Sequence, residues 1–177
     1  TRLDIVNNRV VAFAIEPRAA IGSYDAAEEH FTLYNTTQNP HVARLVLSAF
    51  VGIAPENKLR VVAPDVGGGF GSKIFIYAEE TLCLWTAKKV GRPVKWNGDR
   101  TEAFLCDAHG RDHVTHAEMA TAEDGKILAI RVATIANLGA YTSQYGAFIP
   151  HLGATMSTGL YDIAALDATI IGVYTNT

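Results

Sequence analysis

The stretch Val61-Val62-Ala63-Pro64-Asp65-Val66-Gly67-Gly68-Gly69-Phe70-Gly71-Ser72-Lys73 decides how this chain is read. Between Gly67 and Gly71 every residue is glycine except one large aromatic, Phe70. Glycine loses more backbone entropy on folding than any other residue. It is worth using where the chain needs positive φ or where another group must touch the main chain. A strand-like run leads into the loop and a helical pattern leads out. Successive N–H groups of Gly69, Phe70 and Gly71 ahead of a helix start would make a concave donor surface for an anion or an oxo group. The Phe70 ring would sit beside that surface and exclude water. The plainer alternative is a tight turn that lets strand and helix pack closely.

Two familiar phosphate-binding patterns fail here. A P-loop requires glycine immediately before its lysine and Ser or Thr after it; Ser72 and Ile74 occupy those positions. A dinucleotide fingerprint beginning at Gly67 needs glycine at Ser72, and one beginning at Gly69 needs it at Ile74.

Outward from the loop, β-branched and aromatic residues predict extended segments at 9–15, 30–35, 59–63, 93–97, 113–121, 127–135 and 166–174. Gly125 lies between two of them, so 113–135 reads as an antiparallel hairpin with that glycine at a positive-φ position. A first helix is predicted over 41–51. Its apolar stripe is Val42, Leu45, Val46, Ala49 and Phe50, with Asn39 and Pro40 at its start. A second is predicted over 72–90, apolar around much of its surface and so largely buried, ending at Gly91 before Pro93. Strands and helices in mixed order indicate an α+β fold, with helices packed on a mixed or antiparallel sheet.

The 177 residues are 49% hydrophobic and 19% charged with a net charge of −3, enough for one domain with a sizeable core. The start without methionine and the stop after an apolar run lead us to expect a piece of a longer protein. No cluster of Lys and Arg suggests nucleic acid. No apolar run is long enough for a bilayer. Cys83 and Cys106 are too few for a disulfide framework, and a reducing, cytoplasmic setting is expected.

A second constellation, Asn35-Thr36-Thr37-Gln38-Asn39-Pro40-His41, precedes the first helix. A row of uncharged donors and acceptors there reads first as capping. Gln38, however, can donate through its NH₂ while its carbonyl accepts, which suits an oxo ligand.

With Glu16-Pro17-Arg18, Asp99-Arg100-Thr101-Glu102 and Asn137-Leu138-Gly139-Ala140-Tyr141 in the same order, these blocks resemble the molybdenum hydroxylases. That is the xanthine oxidase and aldehyde oxidoreductase family, with the large subunits of aerobic carbon monoxide dehydrogenases of the second form nearest in texture. The resemblance covers 1–177 and implies a partial molybdopterin-binding domain. It implies that Gln38 bonds an oxo ligand of the molybdenum centre and that Gly68, Gly69, Phe70 and Gly71 lie against the metal and pterin. It also implies a molybdenum–pterin cofactor in the cytosine dinucleotide form, with copper at the same centre in carbon monoxide oxidisers. Iron–sulfur clusters and FAD would sit on partner subunits, in a dimer of heterotrimers. The reaction implied is oxidation of carbon monoxide, an aldehyde or an N-heterocycle with water as oxygen source. Ile74 stands where purine oxidisers carry a glutamate, so xanthine is a poor fit. The base glutamate and the substrate-side loop are expected beyond Thr177, so no catalytic residue and no direct metal ligand is assigned here. The competing reading is a non-catalytic anion- or nucleotide-binding module that uses the glycine loop alone.

Other residues attract plainer expectations. His113 and His116 fall on opposite faces of a strand and do not share a metal readily. Glu79 and Glu80 read as a solvated edge, and Cys83 as core. His109 and Cys106 carry no assigned role.

Overall fold

The computed structural model describes all residues, Thr1–Thr177. They form two compact units, one of residues 1–10 with 109–177 and one of residues 11–108. In chain order the elements are β1 (Arg2–Asn7), β2 (Val10–Val11), β3 (Ala19–Asp25), β4 (His30–Asn35), α1 (Pro40–Ala49), β5 (Leu59–Val62), α2 (Ala78–Val90) and β6 (Val94–Asn97). There follow α3 (Arg100–Cys106), β7 (His109–Gly110), β8 (His113–Thr121), β9 (Ile127–Asn137), α4 (Phe148–Thr155) and β10 (Ala165–Val173). No helix is long and apolar enough to cross a membrane.

In the first unit the sheet order is β1-β8-β9-β10. β8 and β9 form the expected hairpin, with Gly125 at φ 86° in its turn. β10 returns parallel to β9 after α4, as a strand–helix–strand crossover must.

The second unit carries the glycine loop. Its sheet order is β5-β4-β3-β6, with β4 and β5 parallel and the other neighbours antiparallel. Inside positions on β4 recur at every second residue: Phe31, Leu33 and Asn35 are buried, whereas Tyr34 is exposed. Leu33, Leu47 of α1, Leu59 of β5 and Leu84 of α2 are the largest wholly buried side chains. Ala20, Phe31 and Cys83 complete that core, so Cys83 is buried as expected. Each such leucine contributes roughly 1.5–3 kcal/mol relative to an exposed one.

Topology alone decides which loops meet. The parallel register aligns Tyr34 with Val62, so the segments leaving β4 and β5 emerge at the same end of the sheet. The antiparallel registers align Ala20 with Asn35 and Ala19 with Asn97, which brings the segments before β3 and after β6 to that end as well. Four stretches far apart in sequence therefore converge where parallel strands present their carboxyl ends, the usual place for a ligand crevice in such sheets.

Several expectations are corrected. Residues 72–74 form only a 3₁₀ turn, and α2 begins at Ala78. Glu80 explains that start: its Oε2 accepts from the Tyr77 N–H at 2.6 Å and so stops the helix running further back. α2 is not largely buried either. Glu80, Cys83, Leu84 and Ala87 face inward while Leu82 and Trp85 are about half exposed. In α1 the buried edge is Ala43 and Leu47 rather than the stripe read from the sequence, and Phe50 is exposed. Of the predicted segment 9–15, only Val10 and Val11 are strand.

The solvated edge at Glu79 and Glu80 is also overturned. Arg18, 3% exposed, reaches Asp107 at 2.6 Å, Glu79 at 3.1 Å and Glu80 at 3.9 Å. Burial pushes the Glu80 carboxyl up to about 7, against the pull of the Tyr77 N–H and Arg18, with Glu79 adding to the rise. A carboxyl raised this way favours the folded state most below pH 4.5, and that contribution is lost as pH rises through about 7. Glu80→Gln keeps an acceptor for Tyr77 and never ionises. It is expected to stabilise the second unit at pH 8 by on the order of 1–3 kcal/mol, with the advantage gone in the acid range. Local stability from hydrogen exchange at both ends of that range checks this; an equal effect at both would contradict it.

Candidate functional site

The glycine loop contains three left-handed positions. Gly68 has φ 95°, Phe70 φ 52° and Gly71 φ 96°. The Ser72 N–H donates to the Gly69 carbonyl at 3.0 Å, closing a four-residue turn whose two central residues, Phe70 and Gly71, both have positive φ. Glycine adopts this freely; a phenylalanine does so at a cost of about 1 kcal/mol or more. Such strain is held at a ligand site more often than in a plain connection. The Phe70 ring is 75% exposed and its edge lies over Gly68, where an added Cβ would come within 3.2 Å of it.

Gln38 meets this loop. Its Oε1 accepts from the Gly71 N–H at 3.0 Å and from the Lys73 N–H at 3.2 Å. Its own N–H donates to the Lys73 carbonyl at 2.9 Å, and the Thr37 hydroxyl donates to the same carbonyl at 3.2 Å. Two backbone donors on one amide atom require that atom to be the oxygen, so the orientation of the carboxamide is settled by its partners. The NH₂ is thereby the other end of the carboxamide, on an exposed residue.

Gly69 is buried against this side chain. A Cβ added there would fall 2.3 Å from Gln38 Oε1 and 2.5 Å from its Cδ. The backbone is glycine at this point because the carboxamide occupies the space. The expected row of three free donors is thus shorter than the sequence suggested. Gly71 gives its N–H to Gln38, leaving the Gly69 and Phe70 amides without an acceptor in the chain.

The loop is fastened below by Glu16 and Lys73, neither of which was assigned a role from the sequence. Glu16 Oε2 accepts from the Gly67 N–H at 2.8 Å and from Lys73 Nζ at 2.7 Å. Burial pushes the Glu16 carboxyl up, but the bonds from Lys73 and Gly67 outweigh it and hold the group below its ordinary value. This contribution to stability is present above pH 4.5 and is lost as pH falls through the lowered value. No periodicity connects positions 57 residues apart.

All five residues expected to face a cofactor, Gln38, Gly68, Gly69, Phe70 and Gly71, lie in this one loop cluster. Taken together they set the carboxamide of an exposed residue, Gln38, and the Gly69 and Phe70 backbone amides beside an exposed aromatic ring. This donor set fits the oxygens of a metal–oxo pterin and offers no ligand atom to the metal itself. No group of three His, Cys, Asp or Glu side chains assembles anywhere in the chain. His116 instead contacts Asp4 at 2.6 Å, and His113 lies on the neighbouring part of β8, its pKa lowered by burial and by Arg111. Cys106 is exposed at the end of α3.

The chain is 39% identical over 173 residues to the carbon monoxide dehydrogenase large chain of Hydrogenophaga pseudoflava, an alignment covering 95% of this chain and 21% of that one. Among solved structures, quinoline 2-oxidoreductase from Pseudomonas putida 86 superimposes with a TM-score of 0.88 at 32% identity, over 100% of this chain and 23% of that one. A Cu,Mo-CO dehydrogenase gives 0.84 at 35% identity, over 99% and 22%. This chain therefore spans about a fifth of the length of the relatives it matches. The match to the molybdopterin cofactor-binding domain runs from residue 1 to residue 177 without a break, and the chain belongs to that family.

Proposed function

We propose that the complete protein is the molybdenum-cofactor-binding catalytic subunit of a carbon monoxide dehydrogenase-like molybdenum hydroxylase, and that residues 1–177 are part of its molybdopterin-binding domain. The substrate class is carbon monoxide, an aldehyde or an N-heterocycle, with water as oxygen source. The observation that carries the proposal is the Gln38 carboxamide, whose oxygen is locked by the Gly71 and Lys73 amides and whose NH₂ is therefore the end left for a ligand. When bound, the molybdenum–pterin group supplies the two-electron chemistry, while the protein supplies placement and electrostatics. Gln38 would donate to an oxo ligand, the Gly69 and Phe70 amides would lie against the cofactor's oxygens, and the Phe70 ring would limit water beside it. Ile74 offers no charge to a polar purine. The remaining parts of the reading follow from the resemblance: the cytosine dinucleotide form, copper at the same centre for carbon monoxide, iron–sulfur and FAD partner subunits in a dimer of heterotrimers, and a cytoplasmic setting. A stand-alone anion- or nucleotide-binding nest is not favoured, because Gln38 takes the Gly71 donor such a nest would use.

Gln38→Glu tests the reading in the complete protein. The variant keeps an acceptor for both backbone amides but replaces the NH₂ donor with a negative charge. Turnover is expected to fall by about a hundredfold or more, the scale of losing one donor aimed at a reacting oxygen, while the fold is retained by circular dichroism. Unchanged turnover with unchanged molybdenum content would contradict it.

A further inference from the structure

The glycine loop is closed by a single carboxylate that binds both of its ends. Gly67 starts the loop and donates its N–H to Glu16 Oε2; Lys73 ends it and donates its ammonium to the same oxygen. The Glu16 N–H also lies 3.4 Å from the Gly67 carbonyl, and an added Cβ at Gly67 would come within 2.6 Å of Glu16 Cβ. The Lys73 side chain is 2% exposed against 35% for Glu16. Burying an ammonium is unfavourable unless a well-placed partner compensates, so a loop that only had to turn would be better served by an apolar residue there. The peptide groups of Lys73 are also where Gln38 is held: its N–H reaches Gln38 Oε1, and its carbonyl receives the Gln38 N–H and the Thr37 hydroxyl. One residue thus joins the buried ion pair to the carboxamide.

We propose that the ion pair of Glu16 with Lys73 is a positioning staple: it fixes the Lys73 peptide group, and through it the direction in which the Gln38 NH₂ is presented to the bound oxo ligand. Neither side chain touches the ligand. The staple rests on the proposed cofactor site for its purpose but not for its mechanics. It predicts that breaking the pair loosens Gln38 without unfolding the core, since Leu33, Leu47, Leu59 and Leu84 do not depend on it.

The test uses the complete protein with Glu16→Gln, Lys73→Met and the double variant, and Lys73→Arg as a charge-retaining control. In cofactor-free protein, hydrogen exchange at the Gly71 and Lys73 amides is expected to accelerate by about tenfold. Exchange in β3, β4 and α2 stays as in the wild type. The double variant matches the singles, and Lys73→Arg recovers part of the protection. In loaded protein the molybdenum(V) resonance shifts and kcat falls by about tenfold with little change in KM. Wild-type exchange at those two amides would overturn the staple, as would accelerated exchange with an unaltered molybdenum(V) signal and kcat. Uniform loosening of the whole unit in Glu16→Gln and Lys73→Arg alike would overturn it too, by showing plain structural support. Failure of the cofactor reading would be seen separately, as no molybdenum in wild-type protein while the exchange pattern persists.

Discussion

Arg18→Leu is expected to weaken the second unit by about 3–5 kcal/mol, the usual result of removing one member of a buried charge group. The guanidinium lies 3.6 Å above the Tyr77 ring centroid and 4.9 Å from that of Trp96. It answers Asp107 at the end of α3 and Glu79 and Glu80 at the start of α2, so it joins both helices to the entry of β3. Leucine replaces some of the stacking and none of the charge, leaving Asp107 and Glu79 without their counter-ion beside the Glu80 carboxyl. Burial lowers the affinity of Arg18 for its proton, but Glu79 and Asp107 more than restore it, so it stays charged throughout the accessible range. Arg18→Lys should fall between, because an ammonium keeps the charge but loses the fork that reaches two carboxylates at once. Hydrogen exchange in β3 and α2 of the complete protein reads the effect, with acceleration of roughly a hundredfold or more. A loss below about 1 kcal/mol would mean that the cluster relaxes or hydrates, and would contradict the account.

Gly22→Ala is the second large effect. Gly22 lies in β3 under α2, and a Cβ there would come within 2.5 Å of the Cys83 carbonyl carbon and 2.7 Å of the Leu84 nitrogen. These are backbone atoms in a packed helix, and they cannot move aside as a flexible side chain can. The strand must bend or α2 must lift, with Leu84 leaving the core. The expected loss is about 1–3 kcal/mol at least, the range for inserting volume into a well-packed interior, and Gly22→Val should cost more. Gly69 makes an instructive contrast. Its added Cβ meets the end of Gln38, which can swing away, so there the fold should survive while the carboxamide loses its orientation. Thermal denaturation of the two variants side by side separates these outcomes.

The same position explains part of what the sequence hid. β3 reads Ala-Ala-Ile-Gly-Ser-Tyr-Asp, poor in the branched and aromatic residues that mark strands, because α2 needs small residues beneath it. The feature that lets the helix dock is the one that masks the strand. β1 was missed for another reason: its only partner, β8, lies more than a hundred residues away, and all six of its residues are exposed. α3 did carry a legible signal, Asp99 accepting the Glu102 N–H at 2.7 Å as an N-cap does. By contrast, the hairpin of β8 and β9, the αL end of α2 at Gly91 and the strands β4, β5, β6 and β10 follow local rules and were readable.

At the site, the glycine and Thr-Gln-Asn blocks stood out through their spacing and order together, since each alone also reads as a tight turn or as helix capping. Their meeting was implied by the resemblance, which puts both at one molybdenum centre, but not by any local pattern, since it depends on β4 and β5 being adjacent parallel strands. Glu16 and Lys73 were likewise invisible as a pair, because charge alone does not say that an ammonium is buried.

The most direct measurement is the crystal structure of the molybdenum-loaded complete protein, read at one distance. The account predicts Gln38 Nε2 within about 2.7–3.2 Å of an oxygen on the molybdenum centre, with Gln38 Oε1 still accepting from Gly71 and Lys73. A carboxamide turned away from the centre, or a cofactor seated elsewhere with the Gly69 and Phe70 amides facing bulk solvent, would contradict it.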